Sequence, residues 1–292
     1  MCLDGLYTTT TVTFSPTLPA DTLTLDGNII EGAGLLRVQA FLNAVRRLAN
    51  KVIYAQVESA NNFPVGAGIA SSASAFAALA LASTRALSLH LPERDLSRLA
   101  RLGSGSACRS VPGGFVEWQA GESDLDSYAF SIAPPDHWNL LDLIVIMNRA
   151  HKATGSAAGM ALAHTSPLQK QRVAQAPQRL DYCRQALLAC DFAALAEVME
   201  IDSKWMHAVM QTSTPPLHYM LPATEELLDN VLGWRSEGHA VCATVDAGPN
   251  VHVICLPHEQ DFLITAIKEI PGVLEVITAS PGGAARLLSV AA

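Results

Sequence analysis

One run of small residues constrains this chain more than any other feature. Pro64-Val-Gly-Ala-Gly-Ile-Ala-Ser-Ser-Ala-Ser74 leads from a β-forming segment into an Ala-rich helix that is expected to end near His90. Glycines at 66 and 68 let the backbone approach a ligand closely. Ser71, Ser72 and Ser74 offer hydroxyls beside the free N–H groups and positive dipole end of a helix N-terminus. Together Gly66, Gly68, Ser71, Ser72 and Ser74 form a candidate cradle for the phosphates of a nucleotide. It is not a Walker loop, because no Gly-Lys-Ser/Thr ending follows. The same composition also serves as an ordinary loop ahead of a buried helix.

Strand and helix signals mix along the rest of the chain. Thr8–Thr11 with Val12-Thr-Phe, Thr22–Leu25, Val52–Val57, Phe115–Trp118, Leu140–Met147, Val241–Val245, Val251–Leu256 and Val273–Thr278 read as strands, and Asp26-Gly27 supplies a turn. Helical periodicity covers 38–49, 95–102, 156–164, 168–189, 192–208, 224–237 and 258–270. No internal repeat is present. The expected class is therefore α/β or α+β. With 292 residues, half of them apolar, the chain can form one large domain or two medium ones.

The net charge of −8 argues against bulk binding to nucleic acid or a membrane surface. An anionic substrate would have to be held by a local cluster of donors, against the overall field. The six cysteines form no C-x-x-C pair, and the nine histidines show no metal-binding pattern. A protein-built metal site is not expected, whereas a nucleotide-borne Mg²⁺ would leave little trace in the sequence. Four of the cysteines lie in apolar or Ala-rich surroundings, which suggests buried free thiols in a reducing compartment. The first residues lack a signal-peptide pattern, and the apolar run 73–89 is interrupted by Arg85. The cytoplasm is the expected location.

Three further segments carry candidate chemistry. Gly103-Ser-Gly-Ser-Ala-Cys-Arg-Ser110 reads as a second small-residue loop, and its Arg109 could grip a carboxylate or phosphate through two parallel bonds. Most single arginines are surface charges, and that reading stays open. Thr244-Val-Asp-Ala-Gly-Pro-Asn250 places Asp246 between an apolar strand and a Gly-Pro turn. Such an acid is a candidate base or orienter, or simply a good turn residue. Arg149, His151 and Lys152 form the densest local positive patch, which could serve an anion or be a solvated loop.

Three of these segments occur in the same order in one family. Asn61-Asn-Phe-Pro…Gly-Ile-Ala-Ser-Ser-Ala, Gly103-Ser-Gly-Ser-Ala-Cys-Arg-Ser…Gly-Gly-Phe-Val-Glu-Trp118 and Asp246-Ala-Gly-Pro-Asn resemble the diphosphomevalonate decarboxylases of the GHMP kinase superfamily. Thr8–Thr11, Thr154-Gly-Ser with Gly159-Met160, Thr165-Ser-Pro-Leu, Asp202-Ser203 with His207-Ala208, and Pro215-Pro216 add to the likeness, which covers nearly the whole chain. It implies a two-domain α/β fold with a deep cleft between the domains. The expected division is 1–165, a nucleotide and substrate domain, and 166–292, a ferredoxin-like α+β domain. It also implies ATP and Mg²⁺ as cofactors and phosphorylation of the substrate's 3-hydroxyl, followed by loss of that phosphate with CO₂. Ser72 resembles the serine near the transferred group, Arg109 the holder of the substrate carboxylate, and Asp246 the acid facing the 3-hydroxyl. Ser104, Ser106, Thr154 and Met160 are the further substrate contacts that the resemblance implies.

The family's commoner substrate, mevalonate 5-diphosphate, is the expected one, with mevalonate 5-phosphate as the alternative. A mevalonate 3-kinase that stops before decarboxylation, or an inactive relative, are the other readings. Asp246 argues against the kinase, since those relatives depart at that acid. A homodimer stays open. Two departures stand out. The family's Lys-Tyr-Trp-Gly-Lys strand has no counterpart here, so the first strands are expected to be missing. The first loop also reads Pro-Val-Gly-Ala-Gly-Ile where Pro-Thr-Ala-Ala-Gly-Leu is expected, as in a divergent branch.

Overall fold

The computed structural model describes residues 1–63, 71–150 and 155–288. They fall into two compact units, one made of 1–63, 71–137 and 281–288 and the other of the described part of 138–280.

The first unit opens with β1 (Thr8–Ser15), β2 (Thr22–Leu25) and β3 (Asn28–Ile29), followed by α1 (Gly32–Ala49), β4 (Tyr54–Asn61), α2 (Ser71–Ala86) and α3 (Glu93–Gly103). Its sheet has the order β1-β4-β2-β3, with β4 antiparallel to β1 and parallel to β2. Parallel neighbours need a crossover, and α1 supplies it. Asp26 and Gly27, at φ 49° and 79°, close the β2–β3 hairpin in the left-handed geometry that suits strand twist. Val38, Phe41, Leu42 and Val45 recur at helical spacing on α1 and pack against Val57, Phe76, Leu79, Ala80 and Leu99. Arg46 lies on that buried face, where it ion-pairs with Asp21 and donates to the Ile53 carbonyl at 2.6 Å. A buried charge needs such partners.

Gly103–Ser110, expected as a loop, is instead the end of α3 and a 3₁₀ turn over Gly105–Ser110. After it, β5 (Phe115–Gln119) pairs antiparallel with β6 (Tyr128–Ala133). No strand is expected at β6 from the sequence. There the small Ala129 and Ala133 are buried while Tyr128 and Phe130 are only half-buried, which inverts the usual alternation signal.

The second unit contains β7 (Leu141–Ile146), α4 (Ser156–Leu162), α5 (Gln169–Leu188), α6 (Phe192–Gln211), α7 (Pro222–Ser236), β8 (Val241–Val245), β9 (Val251–Cys255), α8 (Gln260–Lys268) and β10 (Glu275–Ala279). The sheet has the order β10-β7-β9-β8 and is antiparallel throughout. The strands and covering helices follow one another in β-α-β-β-α-β fashion. One sheet face, with Leu143, Val145, Ala243, Val245, Val251 and Val253, packs on Leu227 and Val231 of α7 and on Leu263 and Ile267 of α8.

The compact units divide at 137/138. The reason is β7, which lies between β10 and β9 inside the second sheet and is buried along its whole length. The end of the chain then returns to the first unit. Pro281 bridges Leu3, Gly114 N–H donates to Gly282 O at 2.8 Å, and Ala285 N–H donates to Val111 O at 3.0 Å.

Candidate active site

Ser71, Ser72 and Ser74 all lie in the first turn of α2 and not in the preceding loop. Ala73, Phe76, Ala77 and Ala80 form the buried stripe of that helix, which leaves Ser72 on its exposed side. Ser72 Oγ lies 3.2 Å from Ser104 Oγ. Ser74 has a different role. Its hydroxyl sits 2.7 Å from Thr8 Oγ1 and is 3.1 Å from the Ser71 carbonyl, while Thr8 donates to Asn61 Oδ1 at 2.6 Å. Those bonds tie α2 to the sheet. Asn62 works similarly, accepting from Tyr7 N–H at 2.8 Å and donating to Gly5 O at 2.7 Å. Gly66 and Gly68 lie outside the described residues.

The segment that carries Ser104, Ser106 and Arg109 is braced from behind. Gly103 has no room for a Cβ, because the Phe76 ring rests on it. Arg37 stacks 4.8 Å above the same ring and donates to the Gly103 carbonyl from Nε at 3.0 Å and Nη2 at 2.7 Å. Further on, Gly113 meets the returning backbone at Gly283 and Ala284, and Gly114 adopts φ +73°. These contacts account for the Pro-Gly-Gly spelling of that stretch. Ser106 is half-buried, and the Cys108 thiol is buried, which pushes its pKa up.

Arg109 is exposed, with its guanidinium carbon 5.7 Å from the Trp118 ring centre. Among the described residues it has no carboxylate partner. By contrast Arg98 and Arg101 share Asp124, and Arg46 has Asp21. A stacked guanidinium without a counter-charge is available to grip an anion.

Asp246 sits just past the end of β8 with its side chain exposed. The backbone on either side is held. Val245 N–H donates to Ser203 Oγ at 3.1 Å, and His207 Nε2 lies 3.0 Å from the Val245 carbonyl oxygen. Gly248 N–H donates to Asp246 O at 2.8 Å, and Thr224 Oγ1 donates to Pro249 O at 2.7 Å. Asn250 Oδ1 accepts from the N–H groups of Met147 and Asn148 at 2.7 and 3.0 Å. Asp246 thus takes part in the turn through its backbone carbonyl, while its carboxylate forms no ion pair among the described residues.

Of the positive patch, Arg149 is paired with Glu275 at 2.7 Å, while His151 and Lys152 lie outside the described residues. So does Thr154. Met160, on α4, is 71% exposed. Among the described residues no group of three or more His, Cys, Asp or Glu could hold a metal ion. Arg37 and Thr224 carried no signal in the sequence as parts of the site's framework. Trp118, Ser203 and His207 stood in segments that carry the family resemblance, with no role attached to them.

Two family models cover this chain. The diphosphomevalonate decarboxylase-like N-terminal domain matches residues 1–129, and the mevalonate 5-diphosphate decarboxylase C-terminal domain matches residues 142–280. They define a decarboxylase with a mixed α/β, GHMP-kinase-like fold. The diphosphomevalonate decarboxylase of Candida albicans is 35% identical over 289 residues, covering 92% of this chain and 80% of the relative. The mevalonate diphosphate decarboxylase from Enterococcus faecalis, in a structure concerned with mevalonate diphosphate mediated ATP binding, superposes with a TM-score of 0.89 at 36% identity. That match covers 97% of this chain and 87% of the other. A structure of MDDEF in complex with MVAPP, AMPPCP and magnesium gives a TM-score of 0.90 at 36% identity, with the same coverage. The chain belongs to the diphosphomevalonate decarboxylase family.

Proposed function

We propose that the chain catalyses the ATP-dependent decarboxylation of mevalonate 5-diphosphate to isopentenyl diphosphate, a step of isoprenoid synthesis by the mevalonate pathway. The observation that carries the reading is the build of the Asp246 turn, whose backbone is held on both sides while the carboxylate is left exposed. ATP acts here as a substrate that delivers its γ-phosphoryl group to the 3-hydroxyl oxygen. The residues fit such a partner: the exposed Ser72 hydroxyl at the start of α2, opposite Ser104, can donate to phosphate oxygens at the positive end of the helix. Mg²⁺ would enter with the nucleotide and offset phosphate charge.

Asp246 orients the tertiary 3-hydroxyl and accepts its proton. Such an alcohol is crowded, so positioning against the phosphoryl group matters more than basicity. The C3–O bond then breaks with loss of phosphate, the C1–C2 electrons form the new C2–C3 double bond, and CO₂ departs. Positive character at C3 is stabilised by the nearby carboxylate. Arg109 holds the substrate carboxylate with a group that cannot protonate it. Ser104, Ser106, Thr154 and Met160 are proposed as further substrate contacts, and Gly66, Gly68, Ser71 and Ser74 as parts of the nucleotide-binding segment.

The assignment of residues 1–165 to nucleotide and substrate binding, with a second domain after them, is part of the same proposal. No helix among the described residues is long and apolar enough to cross a membrane. Six free cysteines support a reducing, cytoplasmic setting. A homodimer is proposed as the assembly, supported by the exposed Val173, Leu180 and Leu188 on α5.

Asp246→Asn tests the reading. Both ADP formation and CO₂ release should fall by about 10²- to 10⁴-fold, with ATP binding and melting temperature retained. Phosphorylation without CO₂ release would confine the acid to the second step. Full activity in the variant would refute the site.

A further inference from the structure

Two side chains of α6 hold the peptide that leads into Asp246, and we propose that Ser203 and His207 are positioning residues for its carboxylate. The inference rests on the reading of Asp246 as the acid that faces the reacting hydroxyl. Ser203 and His207 are four residues apart, so they sit one turn from each other on the same face of α6. β8 is an edge strand of its sheet, and backbone groups on the outer side of an edge strand have no strand partner. At Val245 the helix supplies partners. The N–H donates to Ser203 Oγ at 3.1 Å, and the carbonyl lies 3.0 Å from His207 Nε2 and 3.4 Å from Ser203 Oγ. A carbonyl oxygen can only accept, so His207 Nε2 carries the proton.

The Val245 carbonyl belongs to the same planar peptide as the Asp246 nitrogen. Fixing that carbonyl therefore fixes the bond from which the Asp246 Cα and side chain depart. On the other side, the Gly248 N–H bond to Asp246 O at 2.8 Å and the Thr224 bond to Pro249 O at 2.7 Å stop the turn from relaxing. The imidazole is itself confined. His207 is buried, and the Tyr219 ring meets it edge-on with centroids 6.2 Å apart. Tyr219 in turn rests on Gly159 of α4, where a Cβ would meet its hydroxyl. Burial also lowers the His207 pKa and so favours the neutral ring.

The test compares Ser203→Ala, His207→Leu, His207→Gln and Asp246→Asn in the full chain. It measures ADP and CO₂ release, both KM values and melting temperature. A misplacement of about 1 Å can cost on the order of 10²-fold. Ser203→Ala and His207→Leu should lower kcat by roughly 10- to 100-fold while both KM values stay close to those of the parent. Gln can place an amide N–H near the position of Nε2, so His207→Gln should recover most of that loss, which Leu, filling the space without a donor, should not. Parental kcat in both Ser203→Ala and His207→Leu, alongside an inactive Asp246→Asn, would overturn the inference and leave the reading of Asp246 intact. An active Asp246→Asn would remove that reading and the inference with it. Should His207→Leu fail to fold, Ser203→Ala, which removes only a hydroxyl, decides.

Discussion

Arg109 and Asp246 are a base and an acid that the described residues leave without an ion-pair partner, in a protein where many other charged side chains are paired. Arg149 illustrates the contrast: it lies in the densest positive patch of the sequence, yet Glu275 neutralises it. Arg109 is kept available by stacking, since the Trp118 face holds the guanidinium without consuming its donors. Lysine would keep the charge but lose the two-pronged grip. Arg109→Lys should therefore raise the KM for mevalonate 5-diphosphate by about 10-fold or more, matching about 1.5–3 kcal/mol for a charge-assisted bond. The ATP KM should change little. An unaltered substrate KM in steady-state assays would show that Arg109 does not hold the carboxylate. Arg109 and Asp246 were legible in the sequence as an arginine in a small-residue segment and an acid at a strand end. Their freedom from ion pairing was not, because Asp124, Asp21 and Glu275 take their partners across the fold.

At the scale of single elements, β7 and β9 carry a pair that no periodicity announces. Asp142 interrupts an otherwise apolar strand, and its Oδ2 lies 2.8 Å from His252 Nδ1 on the neighbouring strand. Burial works to lower the His252 pKa, but the charge and hydrogen bond of Asp142 outweigh it and hold the pKa up at about 9. The folded value lies above the unfolded one of about 6.5. The pair's contribution is thus fully present below pH about 6.5 and is lost as pH rises through 9. Thermal unfolding from pH 6 to 10 should show the loss in the parent and a smaller slope in His252→Gln. Cys242 and Cys255 also destabilise the fold at high pH, because burial raises their thiol pKa values, that of Cys255 to about 12. Those groups are common to both proteins, so the difference between the two slopes isolates the histidine. Removing one member of a buried pair strands the other, at a cost of about 3–5 kcal/mol. Asp142→Asn combined with His252→Gln should be more stable than His252→Gln alone, and equal stability would count against the pairing.

For the whole molecule, the chain path matters as much as the elements. The main chain leaves the first unit at 137 and comes back at 281, where the final segment bonds to Cys2, Val111 and Gly114. That segment covers the turn leading from Arg109 into β5. Truncation after Ser280 should lower the stability of the first unit by a few kcal/mol, at about 0.5–1.5 kcal/mol for each lost backbone bond. Hydrogen exchange should then accelerate at 111–114 and remain unchanged in β7–β10. Equal protection in the truncated chain would show that the returning segment adds nothing. The amino-acid sequence by itself determines the alternation of strands and helices, the Asp-Gly hairpin, the apolar stripe of α1 and the Asp-Ala-Gly-Pro-Asn turn. These follow from side-chain periodicity and backbone preference, which act over a few residues. Tertiary structure alone decides that β7 belongs with β8–β10, that Ser74 is tied to Thr8 while Ser72 stays exposed, and that Ser203 and His207 hold the peptide before Asp246. The physical reason is that hydrogen bonds and ion pairs are satisfied by whatever group lies within about 3 Å in space, and distance along the chain carries no record of that.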